Sequence, residues 1–361
     1  MKICVYAICK NERKFLDKWI EAVSEADCVC VLDTGSTDGT WKELQRRQDG
    51  RKLIAEQKII TPWRFDTARN ESMKLIPTDT DVCLCLDLDE LPSSGWRKAI
   101  EASWNGNCGR YDYIWNFLPD GRPGHRFSGE KCHSYGAIRW KSPVHEYPQF
   151  LVPRVDCALP FTVEHHADDT KSRSSYLPLL ELAVQEDPLN DRNRHYLGRE
   201  YMFYGKWQQA IETLKHHIAM PSAVWRPERS NSMRFIGRCE KALKNMDAAE
   251  LWCFRAHMEA PERREPLMDL AQLYYKQMRW RECRWACEAA LSVTERSGDY
   301  LTEPEAWGAL PYDLLSIAAW QLGDTDGALL AAKNALSMEP ENERIQNNVK
   351  IMERELKTCT F

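Results

Sequence analysis

The chain has 361 residues, 43% of them hydrophobic and 29% charged, with a formal net charge of −5. That length favours two hydrophobic cores, and the composition is that of a folded globular protein, which excludes a chain disordered throughout. The acidic balance argues against bulk affinity for nucleic acid, and no apolar run approaches the roughly 20 residues that a membrane-spanning helix needs.

Residues 3–9 are apolar and β-rich, residues 12–24 carry helical periodicity at Phe15, Leu16, Trp19, Ile20 and Val23, and residues 28–33 are again strand-like. A helical stretch follows Asp38, then a short strand near residues 58–60, a helix from Asp66 to about Leu75 and a strand over residues 82–87. Strands alternating with helices predict a mostly parallel α/β sheet whose ligands sit beyond the carboxyl ends of the strands, where Asp33 and Asp87 fall. Further on, Arg122, Arg126, Lys131, Arg139 and Lys141 gather in a stretch that reads as loop. That basic segment suits a polyanionic ligand or else forms a solvated face.

From about Ser172 the pattern is helical throughout. Ala249, Cys253, Ala256 and Pro261 fit the small-residue and proline positions of a 34-residue helix-turn-helix repeat. Cys283, Cys287 and Ala290 return in that frame, as do Ala328, Ala332, Ala335 and Pro340 after an insertion around residues 296–307. Leu197, Gly198, Tyr201, Gly205 and Ala210 fit an earlier unit, and a capping helix is expected near residues 341–356. Arg226, Arg229, Arg234 and Arg238 read as a solvated helix face. The predicted organisation is thus an α/β domain over residues 1–170 and an all-α tetratricopeptide-like domain over 171–361, the latter a peptide-holding or self-associating surface.

Fourteen cysteines lie scattered through apolar contexts without paired C-x-x-C units, so small core residues are expected, not zinc ligands or disulfides. Unpaired thiols in that number imply a reducing compartment, and the N-terminal run lacks the cleavage site of a secretion signal; a cytoplasmic location is expected.

Two constellations carry chemistry. In Leu86-Asp87-Leu88-Asp89-Glu90, strand alternation puts Asp87 and Asp89 on one side, where the pair suits Mg²⁺ or Mn²⁺ and, through it, a diphosphate. Two acids at a strand end are also a common polar turn. In Asp33-Thr34-Gly35-Ser36-Thr37-Asp38-Gly39-Thr40, the glycines permit a tight turn and Asp or Thr can cap the next helix, while Asp33 stands where it can accept hydrogen bonds from a base.

Together with Cys9-Lys10-Asn11-Glu12 and Phe65-Asp66-Thr67-Ala68-Arg69-Asn70, these motifs resemble the family-2 glycosyltransferases of the glycosyltransferase A fold. Coupled to the repeats, the chain resembles bacterial and phage transferases joined to tetratricopeptide repeats, including bacteriocin S-glycosyltransferases. The resemblance implies a UDP-sugar donor with Glu12 and Asp33 at the nucleoside, Asp87 and Asp89 as ribose and metal carboxylates, and Arg69 near the diphosphate. Arg69 on the bland reading is a surface ion pair on its helix.

Downstream, His145-Glu146 and Glu164-His165-His166 lie outside the repeats. Related transferases close the site with such groups, so His165 or His166 is expected to complete the metal sphere unless it is an ordinary hydrogen-bonded histidine. Inverting transfer needs a base for the acceptor's proton, and Glu146 is the first choice, with Glu90 and Asp168 behind it. A structural pairing of Glu146 with Arg139 or Lys141 is the alternative. The acceptor classes are a peptide or protein side chain, a hydroxymethylated DNA base, or a carbohydrate. Competing functions are a nucleotidyltransferase and a repeat scaffold with a vestigial nucleotide site.

Overall fold

Strand β1 (Ile3–Cys9) is buried along its whole length. Its alternating side chains separate two apolar layers: Ile3, Val5, Ala7 and Cys9 face one, Cys4 and Tyr6 the other. The split recurs along β2 (Cys28–Asp33) and β4 (Val82–Cys85), whose Val29, Val31, Val82 and Leu84 join the first layer and whose cysteines join the second. Apolar residues on both faces are the mark of a covered parallel strand. The computed structural model describes residues 1–118, 120–168 and 175–358. It divides into two units, Met1–Ala183 and Val184–Phe361; the expected boundary at 170/171 lies outside the described residues.

In the first unit β1, β2 and β4 combine with β3 (Leu53–Gln57), β5 (Glu90–Pro92), β6 (Cys108–Ile114), β7 (Arg126–Ser134) and β10 (Asp156–His165). Their order is β3-β2-β1-β4-β7-β6-β10-β5. The first four strands are mutually parallel, as are β6 and β10; β7 and the edge strand β5 run against their neighbours. The mostly parallel α/β sheet expected from the alternating pattern is therefore present. Helices α1 (Arg13–Ala22), α2 (Thr40–Arg47) and α4 (Trp96–Ser103) cover the first layer with Leu16, Trp19, Leu44, Trp96 and Ile100. Helix α3 (Phe65–Met73) and the hairpin β8 (Ile138–Lys141)–β9 (Tyr147–Phe150) cover the second.

Three elements differ from expectation. The third strand ends at Gln57, because it pairs with β2 from Val29↔Leu53 to Asp33↔Gln57 and stops level with it; residues 58–60 lead away. The fourth strand ends at Cys85, so Asp87 and Asp89 stand in a turn closed by Glu90 N donating to Asp87 O at 2.9 Å. The basic segment read as loop carries two strands, with Arg126 and Lys131 on β7 and Arg139 and Lys141 on β8. β7 lacks a β-branched run and is held by pairing on both sides, a case of tertiary context overriding propensity.

A polar chain crosses the second layer. Trp140 Nε1, which can only donate, bonds Tyr6 Oη at 2.9 Å; Tyr6 then donates to His133 Nε2 at 2.8 Å. His133 Nδ1 donates to the Ser134 carbonyl at 3.0 Å, so the network selects the neutral ring. Burial holds the His133 pKa at about 4. Below the ordinary value of about 6.5 the unfolded chain takes up a proton that the folded chain refuses, so stability falls as pH drops from there toward 4. Urea titrations at pH 7 and pH 5 should show a loss on the order of 2 kcal/mol from this group. That loss should vanish in His133→Gln; an equal loss in the variant would remove His133 as its source.

Helix α5 (Tyr176–Glu186) runs across the division. Among the described residues the second unit holds four helical hairpins: α6 (Asp191–Phe203) with α7 (Trp207–Ala219), α8 (Arg226–Ala242) with α9 (Met246–Glu259), α10 (Glu265–Lys276) with α11 (Trp280–Ser292), and α12 (Leu310–Gln321) with α13 (Thr325–Met338). Helix α14 (Glu343–Thr358) follows. The recurring alanines and cysteines of α9, α11 and α13 are buried because the helices approach closely. A Cβ added at Gly198 would lie 2.5 Å from Leu214 Cγ, which explains the small residue there. Among the described residues no helix is long and apolar enough to cross a membrane.

The insertion between α11 and α12 folds back over earlier helices. Tyr300 stacks on Tyr196 of α6 and packs against Trp225, while Glu303 takes hydrogen bonds from Arg234 at 2.7 Å and Arg238 at 2.8 Å on α8. Arg263 donates to Asp299 at 2.6 Å, and Trp307 to Glu265 at 3.2 Å. Arg234, expected on a solvated face, is buried, because this strap and Asp269 enclose it. Removing the shared acceptor with Glu303→Ala should loosen the strap by about 1–3 kcal/mol. Hydrogen exchange should then quicken at residues 299–307 by about tenfold or more while α13 is unaffected. Unchanged exchange there would show that Glu303 does not hold the strap.

Candidate functional site

The carboxyl ends of β1 and β2 are level, with Cys9 opposite Asp33, and their two following loops are stitched together. Asn11 N donates to Ser36 Oγ at 2.8 Å, Thr37 N to Asn11 Oδ1 at 2.7 Å, and Glu12 N to Thr40 Oγ1 at 2.9 Å. Asp33 is fully buried; its Oδ1 accepts from Gly35 N, Ser36 N and Gln57 Nε2, each at 2.9 Å. The turn needs left-handed backbone at Gly35 and Gly39, with φ of 109° and 95°. Asp33 thus shapes the loop from beneath, and Glu12, also buried, precedes α1 at its N-cap.

At the end of β4 the carboxylates part company. Asp87 is gripped by the Arg69 fork, Nη1 to Oδ1 at 2.6 Å and Nη2 to Oδ2 at 2.8 Å, and by Lys131 Nζ at 3.3 Å. Arg69 is buried, and its Nε donates to Glu146 Oε1 at 3.0 Å. Its ion pairs therefore run across the fold to two distant segments, not along its own helix. Burial alone would raise the Asp87 carboxyl, but the charges of Arg69 and Lys131 hold it well below the ordinary carboxylate range. Glu90 points inward, accepting from Tyr113 Oη at 2.6 Å, Lys131 Nζ at 2.7 Å and Asp87 N at 3.0 Å. Asp168 pairs with Lys14 at 2.8 Å; Asp169 lies outside the described residues.

Asp89 turns the other way. Antiparallel pairing of β10 with β5 sets His165 opposite Glu90, which brings its Nε2 to 3.6 Å from Asp89 Oδ2. His165 Nδ1 faces the Trp115 carbonyl at 2.9 Å and must donate to it, so the neutral ring presents the Nε2 lone pair toward Asp89. Trp115 also stacks on this ring, with centroids 4.6 Å apart. Burial pulls the His165 pKa down, yet the Asp89 carboxylate overcomes it and raises the value, so Asp89 favours a proton on Nε2 whenever no other cation stands between them. His166 is occupied differently: its Nε2 lies 3.2 Å from Glu164 and its ring stacks on Phe117.

Trp115 and Tyr113 join the site with no linear signal, and Lys131, noted only as part of the basic segment, is brought to Asp87 by the placement of β7 beside β4. Backbone outliers gather here too: Asn11, Ser142 and His145 have φ of 58°, 91° and 49°. Such conformations cluster where a loop is held for use.

No protein-family model matches the chain. A 115-residue segment is 27% identical to the lipopolysaccharide core biosynthesis glycosyltransferase LpsC of Rhizobium meliloti (strain 1021), over 27% of this chain and 42% of that protein. The chain thus spans less than half the length of this relative. Among solved structures, MamA matches at 19% identity over 47% of this chain and 91% of its own, with a TM-score of 0.38. The Pseudomonas aeruginosa pilF structure matches at 15% over 49% and 72%, also with a TM-score of 0.38.

Because one guanidinium holds both Asp87 and Glu146, Arg69→Met should take that charge from Glu146 and leave Asp87 with Lys131 alone, destabilising the first unit by about 3 kcal/mol or more. Arg69→Lys should recover only part of this, since an ammonium cannot span both partners. Urea midpoints followed by hydrogen exchange in β4 would measure both. Equal stability of the lysine variant and the parent would contradict the bridging role.

Proposed function

We propose that the chain is a metal-dependent glycosyltransferase moving a sugar from a nucleotide-sugar donor, a UDP-sugar, to a nucleophilic acceptor with inversion at the anomeric carbon. The observation that carries this reading is the Asp89–His165 pair at one end of the mostly parallel sheet, with Nε2 of the histidine turned toward the carboxylate. Similarity to a named glycosyltransferase over 115 residues supports the same class. Two donors 3.6 Å apart can share one ion, and a mixed oxygen and imidazole set suits Mn²⁺ better than Mg²⁺. When bound, that ion supplies positive charge for the departing diphosphate.

The remaining roles fall to the chain. The stitched loops of Glu12 and Asp33 receive the nucleoside; Asp87, held by Arg69 and Lys131, presents its carboxylate to the ribose; and the two cations add positive potential near the diphosphate. Glu146 takes the acceptor's proton on a carboxylate oxygen as the nucleophile attacks the anomeric carbon and the bond to the diphosphate breaks with its electron pair. The repeat unit serves the acceptor, for which a peptide or protein side chain and a modified DNA base are the leading classes.

UDP release from a panel of UDP-sugars is the test. Release should require Mn²⁺ or Mg²⁺ and stop with chelator. Glu146→Gln should lower kcat about 10²- to 10⁴-fold with donor affinity nearly unchanged. Near-normal turnover in that variant would transfer the role to Glu90 or Asp168, and a lack of metal-dependent release from every donor would refute the proposed activity.

A further inference from the structure

Cys4, Cys28 and Cys30 meet in the second apolar layer, at the opposite end of β1 and β2 from the loops described above. The five-residue separation along β1 amounts to about 16 Å. Linear spacing hides the cluster, because no two cysteines form C-x-x-C; the sheet supplies the proximity. β1 and β2 pair in parallel with Cys4 opposite Cys28 and Tyr6 opposite Cys30, and alternation turns the three thiols to one face. Cys30 Sγ lies 3.6 Å from Cys4 Sγ and 3.6 Å from Cys28 Sγ. All three sulfurs fall within 4.8 Å of one another, the one such three-ligand convergence among the described residues. A disulfide would need about 2.05 Å.

A triangle with two sides of 3.6 Å and a third of at most 4.8 Å has a point equidistant from its corners at about 2.1–2.4 Å. The zinc–thiolate bond is about 2.3 Å. An ion can therefore seat among the sulfurs without movement of either strand, displacing only thiol protons. The Cys30 thiol donates to the Leu75 carbonyl at 3.3 Å, a bond given up with that proton.

We propose that Cys4, Cys28 and Cys30 form a three-thiolate site for a thiophilic divalent ion of the zinc class, one that staples β1 to β2 at the amino end of the sheet. Binding releases one proton from each thiol and involves no oxidation, so no co-reactant is needed. Charge argues against a monovalent ion. Three thiolates leave a monovalent ion with two negative charges in an apolar layer and a divalent ion with one, and Lys2 is the cation whose charge reaches Cys28. Soft sulfur donors separate this site from the oxygen and imidazole pair at Asp89 and His165, so the two should sort ions differently.

The test uses the full chain, reduced and stripped with chelator, then titrated with Zn²⁺ and passed over a desalting column. Native mass spectrometry should find one retained ion, and zinc X-ray absorption should report three sulfur neighbours. Cys28→Ala and Cys30→Ala should each weaken retention about 100-fold or more, whereas Cys83→Ala in the same layer and Asp89→Asn at the other end should retain the ion. If an alanine variant does not fold, absorption on the parent chain decides alone. No retained ion, a shell of nitrogen and oxygen only, or undiminished retention in Cys28→Ala would overturn the site and leave three core thiols in ordinary contact.

Discussion

A buried guanidinium costs desolvation energy that only its own charged hydrogen bonds can offset. Arg69 meets that demand with two segments far apart in the chain, Asp87 after β4 and Glu146 after β8. Its planar fork fixes one carboxylate by both oxygens while the remaining N–H reaches the other. The arrangement organises the end of β4: it holds the following turn against α3, draws in the loop before β9, and, with Lys131, neutralises Asp87, while Asp89 is left to face His165. Burial of Glu90 under Tyr113 and Lys131 closes the same network from below.

The consequence is a division of labour within Asp87-Leu88-Asp89. Leu88 is buried and anchors the turn, leaving the flanking acids in different surroundings. Asp87 has both oxygens committed to cations, whereas Asp89 faces an imidazole whose other nitrogen is fixed by a backbone carbonyl. That is the preparation a metal-binding pair requires, since the second hydrogen bond sets both tautomer and direction. In the proposed transferase, Asp89 and His165 therefore hold the ion and Asp87 serves the donor's sugar end.

Much of the fold was legible because hydrophobic period reports it directly. Residues 3–9 and 28–33 are apolar on both faces and appear as buried strands within those limits. The small residues of α9, α11 and α13 mark close helix approach and recur at the same spacing within each helix. What the sequence hid was pairing across distance. Nothing near Lys131 points to Asp87, and nothing in Trp115 announces a contact with His165; both depend on β7 and β6 entering the sheet beside β4. The turn at Asp87 was missed because Leu86 and Leu88 continue an apolar alternation although the backbone has left the sheet. Arg234 read as solvated because its acceptors, Asp269 and Glu303, come from another helix and from the strap.

The central claim is that Asp89 and His165, and not Asp87, hold the ion that accompanies a uridine diphosphate. Mn²⁺ binding followed by electron paramagnetic resonance, with and without UDP, tests it most directly. The account predicts that UDP tightens Mn²⁺ binding, and that Asp89→Asn and His165→Ala each weaken it about 100-fold while Asp87→Asn has a much smaller effect. Equal losses for Asp87→Asn and Asp89→Asn, or Mn²⁺ binding indifferent to UDP and to His165, would contradict it.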